Sequence, residues 1–181
     1  MCFFLRKKEM DGAALQPLTE GQIKLLRQSL SAMDTDRLAM RFYTSLFVKH
    51  PEVKPLFPED LTELSTKIVS VFQLIVHSFE RNANGHYYLQ KEVLRPLRAL
   101  GELHEKKGVD NRYYAWVNEL LLESMRAELR GDFPIASEFA WKLALNHLTF
   151  AMLSELEIPA GELPSTMRES FNQIQALLFR L

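Results

Sequence analysis

The sequence predicts an all-α protein in which irregularly crossed helices share one core. Apolar residues recur every three or four positions in nearly every patterned segment, which is the period of an amphipathic helix. Glycine and proline are scarce and fall between those segments, where they mark the connections. No stretch keeps the two-residue alternation of a half-buried strand. A chain of 181 residues with short connections is therefore expected to form one domain.

The composition excludes several classes of partner. Acidic and basic residues are mixed along the chain and the formal net charge is −1, so neither nucleic acid nor an anionic membrane is expected. No apolar run reaches membrane-spanning length, and the opening MCFFLRKK has the wrong order for a signal peptide. The single cysteine, Cys2, excludes an internal disulfide and a cysteine metal site. We therefore expect a cytoplasmic protein.

Three helices are expected in the first half of the chain. Thr19 and Gln22 form a capping box that opens the first helix, and Asp34 opens the second. Two overlapping apolar stripes bury a wide arc of the second helix, and they consist of Leu38, Phe42, Leu46, Ala39, Tyr43 and Phe47. The third helix is expected from Asp60 to about Glu80, followed by a polar loop over residues 81–88.

The chain is organised around a short helix within the segment Leu94–Val109. One face of this helix carries Leu97, Leu100 and His104. Pro96 suits the first turn of a helix, and Gly108 supplies the left-handed residue that ends it. An imidazole on an apolar face needs a partner for its nitrogens. A core histidine that donates to a backbone carbonyl is one explanation, and a buried metal is the other.

Two longer helices complete the predicted core. Asp110 and Asn111 cap the first, which carries Tyr114 on its apolar face. A break at residues 131–134 separates it from the second, which is centred on Trp141.

The two ends of the chain are expected to differ from the domain between them. Residues 1–17 are interpreted as an N-terminal arm, 18–158 as the domain, and 159–181 as a linker and an amphipathic helix. Thr166 and Glu169 form a capping box at the start of that last helix. The helix either packs back on its own domain or mediates formation of a homodimer.

The other histidines are weaker candidates for a metal ligand, and the common catalytic motifs are absent. His50 and His86 lie beside turns and His77 lies on the outer side of its helix, so all three are expected to be exposed. His147 shares an apolar stripe and is interpreted as a satisfied core or interface histidine. The sequence contains no Walker loop, no GxGxxG, no GxSxG, no HExxH and no EF-hand loop.

Several strings together resemble the globin family. RFYTSLFVKHPEVKPLF over residues 41–57 is similar to the second and third globin helices, which run into the phenylalanine that stacks on haem. LRALGELHEKKGV resembles the proximal helix, and FAWKLAL resembles the last globin helix. The resemblance covers about residues 18–156 and is greatest to bacterial single-domain globins and the haem domain of flavohaemoglobins. It implies a globin-like fold around a haem pocket, with an extra C-terminal helix.

The resemblance also implies a role for individual residues. His104 would be the iron ligand of haem b (iron protoporphyrin IX), and Tyr114 matches a tyrosine that fixes the ligand ring in flavohaemoglobins. Tyr43 matches the ligand-facing tyrosine, while Leu64 stands where a histidine or glutamine is usual. The expected porphyrin contacts are Phe57, Ile68, Leu100 and Val109, and Lys67 is either a partner of a propionate or a solvated lysine. The flavohaemoglobin glutamate falls near residue 156, between two glutamates, so the proximal network differs here.

The resemblance implies that the protein binds a diatomic gas (O2, NO or CO) reversibly at ferrous iron. Three roles remain open beneath it: storage or transport of oxygen, dioxygenation of nitric oxide to nitrate with an external reductase, and gas or redox sensing through the C-terminal helix. A globin-like interaction domain without haem is the alternative outside these roles, but such domains lack a ligand histidine.

Overall fold

The computed structural model describes residues 15–153, and within that range six α-helices form the domain. The helices are α1 (Glu20–Ala32), α2 (Thr35–Lys49), α3 (Thr62–His77), α4 (Lys91–Lys106), α5 (Arg112–Leu129) and α6 (Ile135–Leu153). Two short 3-10 helices, Pro51–Leu56 and Arg130–Asp132, lie in the connections that follow α2 and α5. The predicted C-terminal helix and nearly all of the predicted N-terminal arm lie outside the described residues.

The starts of α1 and α2 follow the sequence signals, and the start of α5 follows them in part. Thr19 accepts a hydrogen bond from the Gln22 amide while the Gln22 side chain accepts one from the Thr19 amide, so the predicted capping box of α1 is confirmed. Asp34 caps α2 by accepting a hydrogen bond from the Arg37 amide at 3.0 Å. At the start of α5 Asp110 accepts a hydrogen bond from the Arg112 amide, whereas the Asn111 side chain makes no capping bond, so the predicted cap is confirmed for Asp110 alone.

The core is built where helices cross α6. α6 packs extensively against α4 and α1, and α2 packs in the same way against α5. Trp141 of α6 is fully buried, donates to the Ser29 hydroxyl of α1 at 2.7 Å, and meets the edge of Phe72 of α3. The predicted fold class, crossed helices around one core, is confirmed.

The expected polar loop over residues 81–88 is partly wrong, because a small antiparallel hairpin spans this region. Strands β1 (Phe79–Arg81) and β2 (Tyr87–Leu89) pair in register, and Leu18 forms an isolated bridge with Tyr87. Only Phe79 among the six strand residues is fully buried. Asn84-Gly85 between the strands was the available hairpin signal, but three-residue strands are too short to show a sustained alternation.

Two predicted helix boundaries also shift. α3 ends at His77 rather than near Glu80, since the chain then enters β1. α4 begins at Lys91, so Pro96 lies inside the helix and not in its first turn. Pro96 is buried against the core, and this packing compensates for the hydrogen bond that its missing N–H cannot make.

None of the helices in residues 15–153 is both long and apolar enough to cross a membrane.

Candidate functional site

His104 lies in the last turn of α4 and pairs with Tyr114 of α5. The imidazole Nδ1 is 3.2 Å from the Tyr114 hydroxyl oxygen. With the proton on Nδ1, the ring donates to the phenol oxygen and Nε2 keeps a free lone pair. None of the hydrogen bonds among residues 15–153 uses Nε2. The pair thus holds the ring in place while one nitrogen remains available.

Burial keeps both members of this pair neutral. Desolvation lowers the pKa of His104, and the nearby Lys107 charge lowers it further, so the imidazole is uncharged at neutral pH. Burial raises the pKa of Tyr114 to about 12, with the Glu105 carboxylate also raising it and Arg98 lowering it. A neutral imidazole is the form that coordinates a metal.

The end of α4 fixes the position of His104 in the fold. Gly108 has φ +81°, which confirms the predicted left-handed stop. Its amide donates to the Glu105 carbonyl, and the Val109 amide donates to the His104 carbonyl at 3.0 Å. Val109 is half-buried beside the histidine turn, and Leu100, one turn earlier on α4, is buried.

The first half of α3 presents an apolar face that no other described element fully covers. The apolar side chains along this face are only half-buried, whereas Phe72, Ile75 and Val76 further along the helix are buried; the half-buried set is Leu61, Leu64, Ile68 and Val71. In the described part of the chain, α3 and α4 are not among the helix pairs that pack closely together. The predicted contact residues Leu64 and Ile68 therefore belong to an apolar face that is available for a further group.

Tyr43 of α2 is buried beside this face, within an aromatic cluster. Its ring centroid is 5.0 Å from that of Phe42, 6.2 Å from that of Phe47 and 5.9 Å from that of Phe57. The hydroxyl donates to the Leu64 carbonyl at 3.3 Å. Desolvation raises the pKa of Tyr43, so the phenol remains a hydrogen-bond donor.

Lys67 lies on α3 with only 11% of its side chain exposed. Its ammonium is 3.8 Å from the Glu63 carboxylate, one turn earlier. The side chain is thus largely covered, and the propionate contact stays a prediction. Its aliphatic stem packs against the protein, and its ammonium lies near the Glu63 carboxylate of the same helix.

The remaining histidines differ in environment. His147 is buried, and its Nε2 donates to the Gln16 carbonyl at 3.0 Å, as expected of a satisfied core histidine. His77 and His86 are exposed, as predicted. The expectation for His50 is wrong, because it is half-buried and its ring stacks on that of Trp116 in α5, with ring centroids 3.9 Å apart and 7° between the planes.

Sequence reasoning missed the contact that positions α4. Gly101, three residues before His104, lies against the backbone of Met152 in α6. The Arg98 guanidinium donates to the same Met152 carbonyl at 3.3 Å. A glycine inside a helix was the available signal, since it is unfavourable there without a packing reason.

The fold and the site together define an α-helical protein with one neutral, half-buried histidine and an incompletely covered apolar face, which are features that a prosthetic group requires. A family model described as Globin matches residues 40–152, which is more than half of the chain. The chain belongs to the globin family, and the predicted family is confirmed. It is a haem-binding globin.

Similar proteins occur in plants and bacteria. Leghemoglobin of Psophocarpus tetragonolobus is 28% identical over 142 residues, which cover 74% of this chain and 94% of that protein. Anaerobic nitrite reductase AHB2 of Arabidopsis thaliana is 24% identical over 151 residues, covering 77% and 94%. A bacterial globin structure from Campylobacter jejuni aligns with a TM-score of 0.57 at 20% identity, covering 75% of this chain and 94% of that one. This last likeness supports the fold alone.

The described residues suit haem. A haem held by histidine needs one neutral imidazole and an apolar slot. His104 offers Nε2 with Nδ1 already bound to Tyr114, and the half-buried face of α3 offers apolar side chains that lack full cover. A group of three or more His, Cys, Asp or Glu side chains placed to bind a metal ion does not occur in residues 15–153. A single-histidine site for haem does not require one.

Proposed function

We propose that this globin binds haem b through His104 Nε2 and binds a diatomic gas reversibly on the Tyr43 side. The observation that carries this is the 3.2 Å contact between His104 Nδ1 and Tyr114, because it orients an otherwise uncommitted neutral imidazole. Haem supplies the iron at which O2, NO or CO binds. The protein supplies the ligand ring, the apolar slot and one phenol donor.

The pocket residues have separate roles in this proposal. Phe57, Ile68, Leu100 and Val109 exclude water from the porphyrin. Leu64 offers no side-chain donor and no iron ligand, so the gas site stays open. Lys67 of α3 provides a cation for a haem propionate. The test is an absorption spectrum of the purified protein supplied with haemin, and a Soret band with a five-coordinate ferrous form is expected.

Tyr43 is the donor that discriminates between gases. Its hydroxyl donates to the Leu64 carbonyl at 3.3 Å, and a polarised gas molecule competes with that carbonyl for the same proton. The net gain is then smaller than the roughly 1.5–3 kcal/mol of a full charge-assisted hydrogen bond. Dioxygen gains from this bond more than carbon monoxide does, because carbon monoxide is less polarised.

Tyr43→Phe is expected to raise the dioxygen dissociation rate about tenfold, which corresponds to about 1.4 kcal/mol. Stopped-flow measurement of dioxygen and carbon monoxide dissociation tests this, with carbon monoxide nearly unchanged. Tyr88→Phe, at a tyrosine that is 37% exposed on the hairpin, is the matched control. An unchanged dioxygen rate would mean that Tyr43 only packs and bonds to Leu64.

Dioxygenation of nitric oxide to nitrate is the catalytic use that we propose for this site. The single donor in an aromatic, apolar wall supports it, because the wall excludes water and admits small neutral gases. The reaction consumes electrons, so a separate reductase is the expected partner. Turnover of nitric oxide with a reducing system tests it, and nitrite in place of nitric oxide tests the activity named in the Arabidopsis relative. Gas or redox sensing through residues 159–181 is the alternative.

A further inference from the structure

On the outer side of α6, within the described part of the chain, two large apolar side chains are exposed. Six residues lie along one side of this helix, at intervals of three or four positions. We call them the α6 stripe, and they are Ile135, Phe139, Lys142, Asn146, Phe150 and Leu153. Ile135 is 87% exposed and Phe139 is 46% exposed. Two adjacent apolar residues at this exposure are more than the scattered surface hydrophobics of a soluble domain.

The α6 stripe ends where the described chain ends. Phe150 and Leu153 are half-buried at that end, and the neighbouring Met152 carbonyl accepts a hydrogen bond from Arg98. Gly101 packs against the same peptide. The segment that follows residue 153 therefore leaves from a fixed point, at one end of the stripe.

The sequence beyond that point matches the stripe in spacing and length. Its apolar residues repeat in steps of four, three, four and three, namely Met167, Phe171, Ile174, Leu178 and Leu181. As a helix at about 1.5 Å per residue, residues 166–181 would span about 24 Å. The 19 residues of α6 span about 28 Å on the same measure. The prolines at 159 and 164 mark a place for the chain to reverse.

We propose that residues 166–181 of this chain dock antiparallel on the α6 stripe, with Leu178 and Leu181 against Phe139 and Ile135. The chain's own segment is the occupant because residues 154–165 tether it beside the stripe. A tether of this length gives an effective concentration of the order of millimolar, well above the concentration of a second copy. The proposal concerns this surface only and does not depend on haem binding.

Cysteine crosslinking in the full chain tests the docking. Cys2, the only cysteine, is first changed by Cys2→Ser, and the pair Phe139→Cys with Leu178→Cys is then introduced. A disulfide needs Cα atoms within about 4.4–6.8 Å, so it reports direct apposition. Ile135→Cys with Leu181→Cys repeats the test one turn further along. Mild oxidation, non-reducing electrophoresis and peptide mass spectrometry follow the bond.

The matched control is Phe139→Cys with Ala176→Cys, because residue 176 lies on the opposite side of the segment's apolar stripe. We expect an intramolecular disulfide with residue 178, formed at a rate independent of protein concentration, and little with residue 176. Crosslinked dimers whose yield rises with concentration would assign the stripe to a second copy and overturn the proposal. Equal crosslinking at 176 and 178, or none in either test pair, would also overturn it.

Discussion

Replacing His104 with alanine is expected to abolish stable haem binding. Loss of a group that only orients a metal ligand typically costs 10–100-fold in affinity, so loss of the ligand itself should cost more than about 100-fold. The reconstituted variant should show little or no Soret band after gel filtration, whereas the wild-type protein keeps it. His104 is half-buried, and in residues 15–153 its ring makes a single hydrogen bond, to Tyr114, so the folded domain should tolerate the change.

The control for this experiment is His147→Ala. His147 is the other histidine whose ring is desolvated, but its Nε2 is used by the Gln16 carbonyl. This variant should lose some thermal stability and keep its haem. Added imidazole should partly restore the Soret band of His104→Gly, because the free ring can occupy the vacated space. Haem retention in His104→Ala equal to that of wild type, or a folded wild type that stays colourless with haemin, would rule out His104 as the ligand.

Local sequence rules account for most of the helical framework. The starts of α1 and α2 follow from the side-chain caps at Thr19 and Asp34, whose partners are three residues away. The stop of α4 follows from Gly108, which alone can take a left-handed conformation cheaply. The position of His104 on the face of Leu97 and Leu100 follows from the 3.6-residue period. Each of these features is decided within a few residues of chain.

The features that sequence reasoning missed depend on distant partners. The hairpin is joined to Leu18, about seventy positions before its partner Tyr87, and its three-residue strands are too short to show a sustained alternation. The extended start of α4 places Pro96 inside a helix, where packing overrides the local preference. The Leu64 carbonyl as the acceptor for Tyr43 depends on how α2 and α3 cross. No pattern within one segment specifies such a crossing.

The close approach of α4 to α6 at Gly101 is the contact most sensitive to a single added methyl group. A Cβ at residue 101 would lie 2.0 Å from the Met152 carbonyl oxygen and 2.8 Å from its carbon. These are backbone atoms, so no side-chain rotation relieves the overlap. The same carbonyl also accepts the Arg98 hydrogen bond, which opposes its displacement. The two helices must therefore separate, along one of the most extensive contacts in the domain.

Gly101→Ala is consequently expected to destabilise the protein, although alanine favours a helix over glycine by about 0.8–1.0 kcal/mol. Overpacking of this kind typically costs about 1–3 kcal/mol, which lowers the Tm of a domain of this size by several degrees, roughly 2–4 °C per kcal/mol. Because His104 lies one turn further on the displaced helix, haemin should also dissociate faster. Differential scanning calorimetry and haemin transfer to an acceptor protein measure the two effects. Gly21→Ala in α1 is the control, since its Cβ would meet only the Thr19 hydroxyl at 4.0 Å, and its Tm should be unchanged or slightly higher. A Tm for Gly101→Ala as high as that of the control would show that α4 and α6 do not approach this closely. The position of His104 would then have to be fixed by another contact.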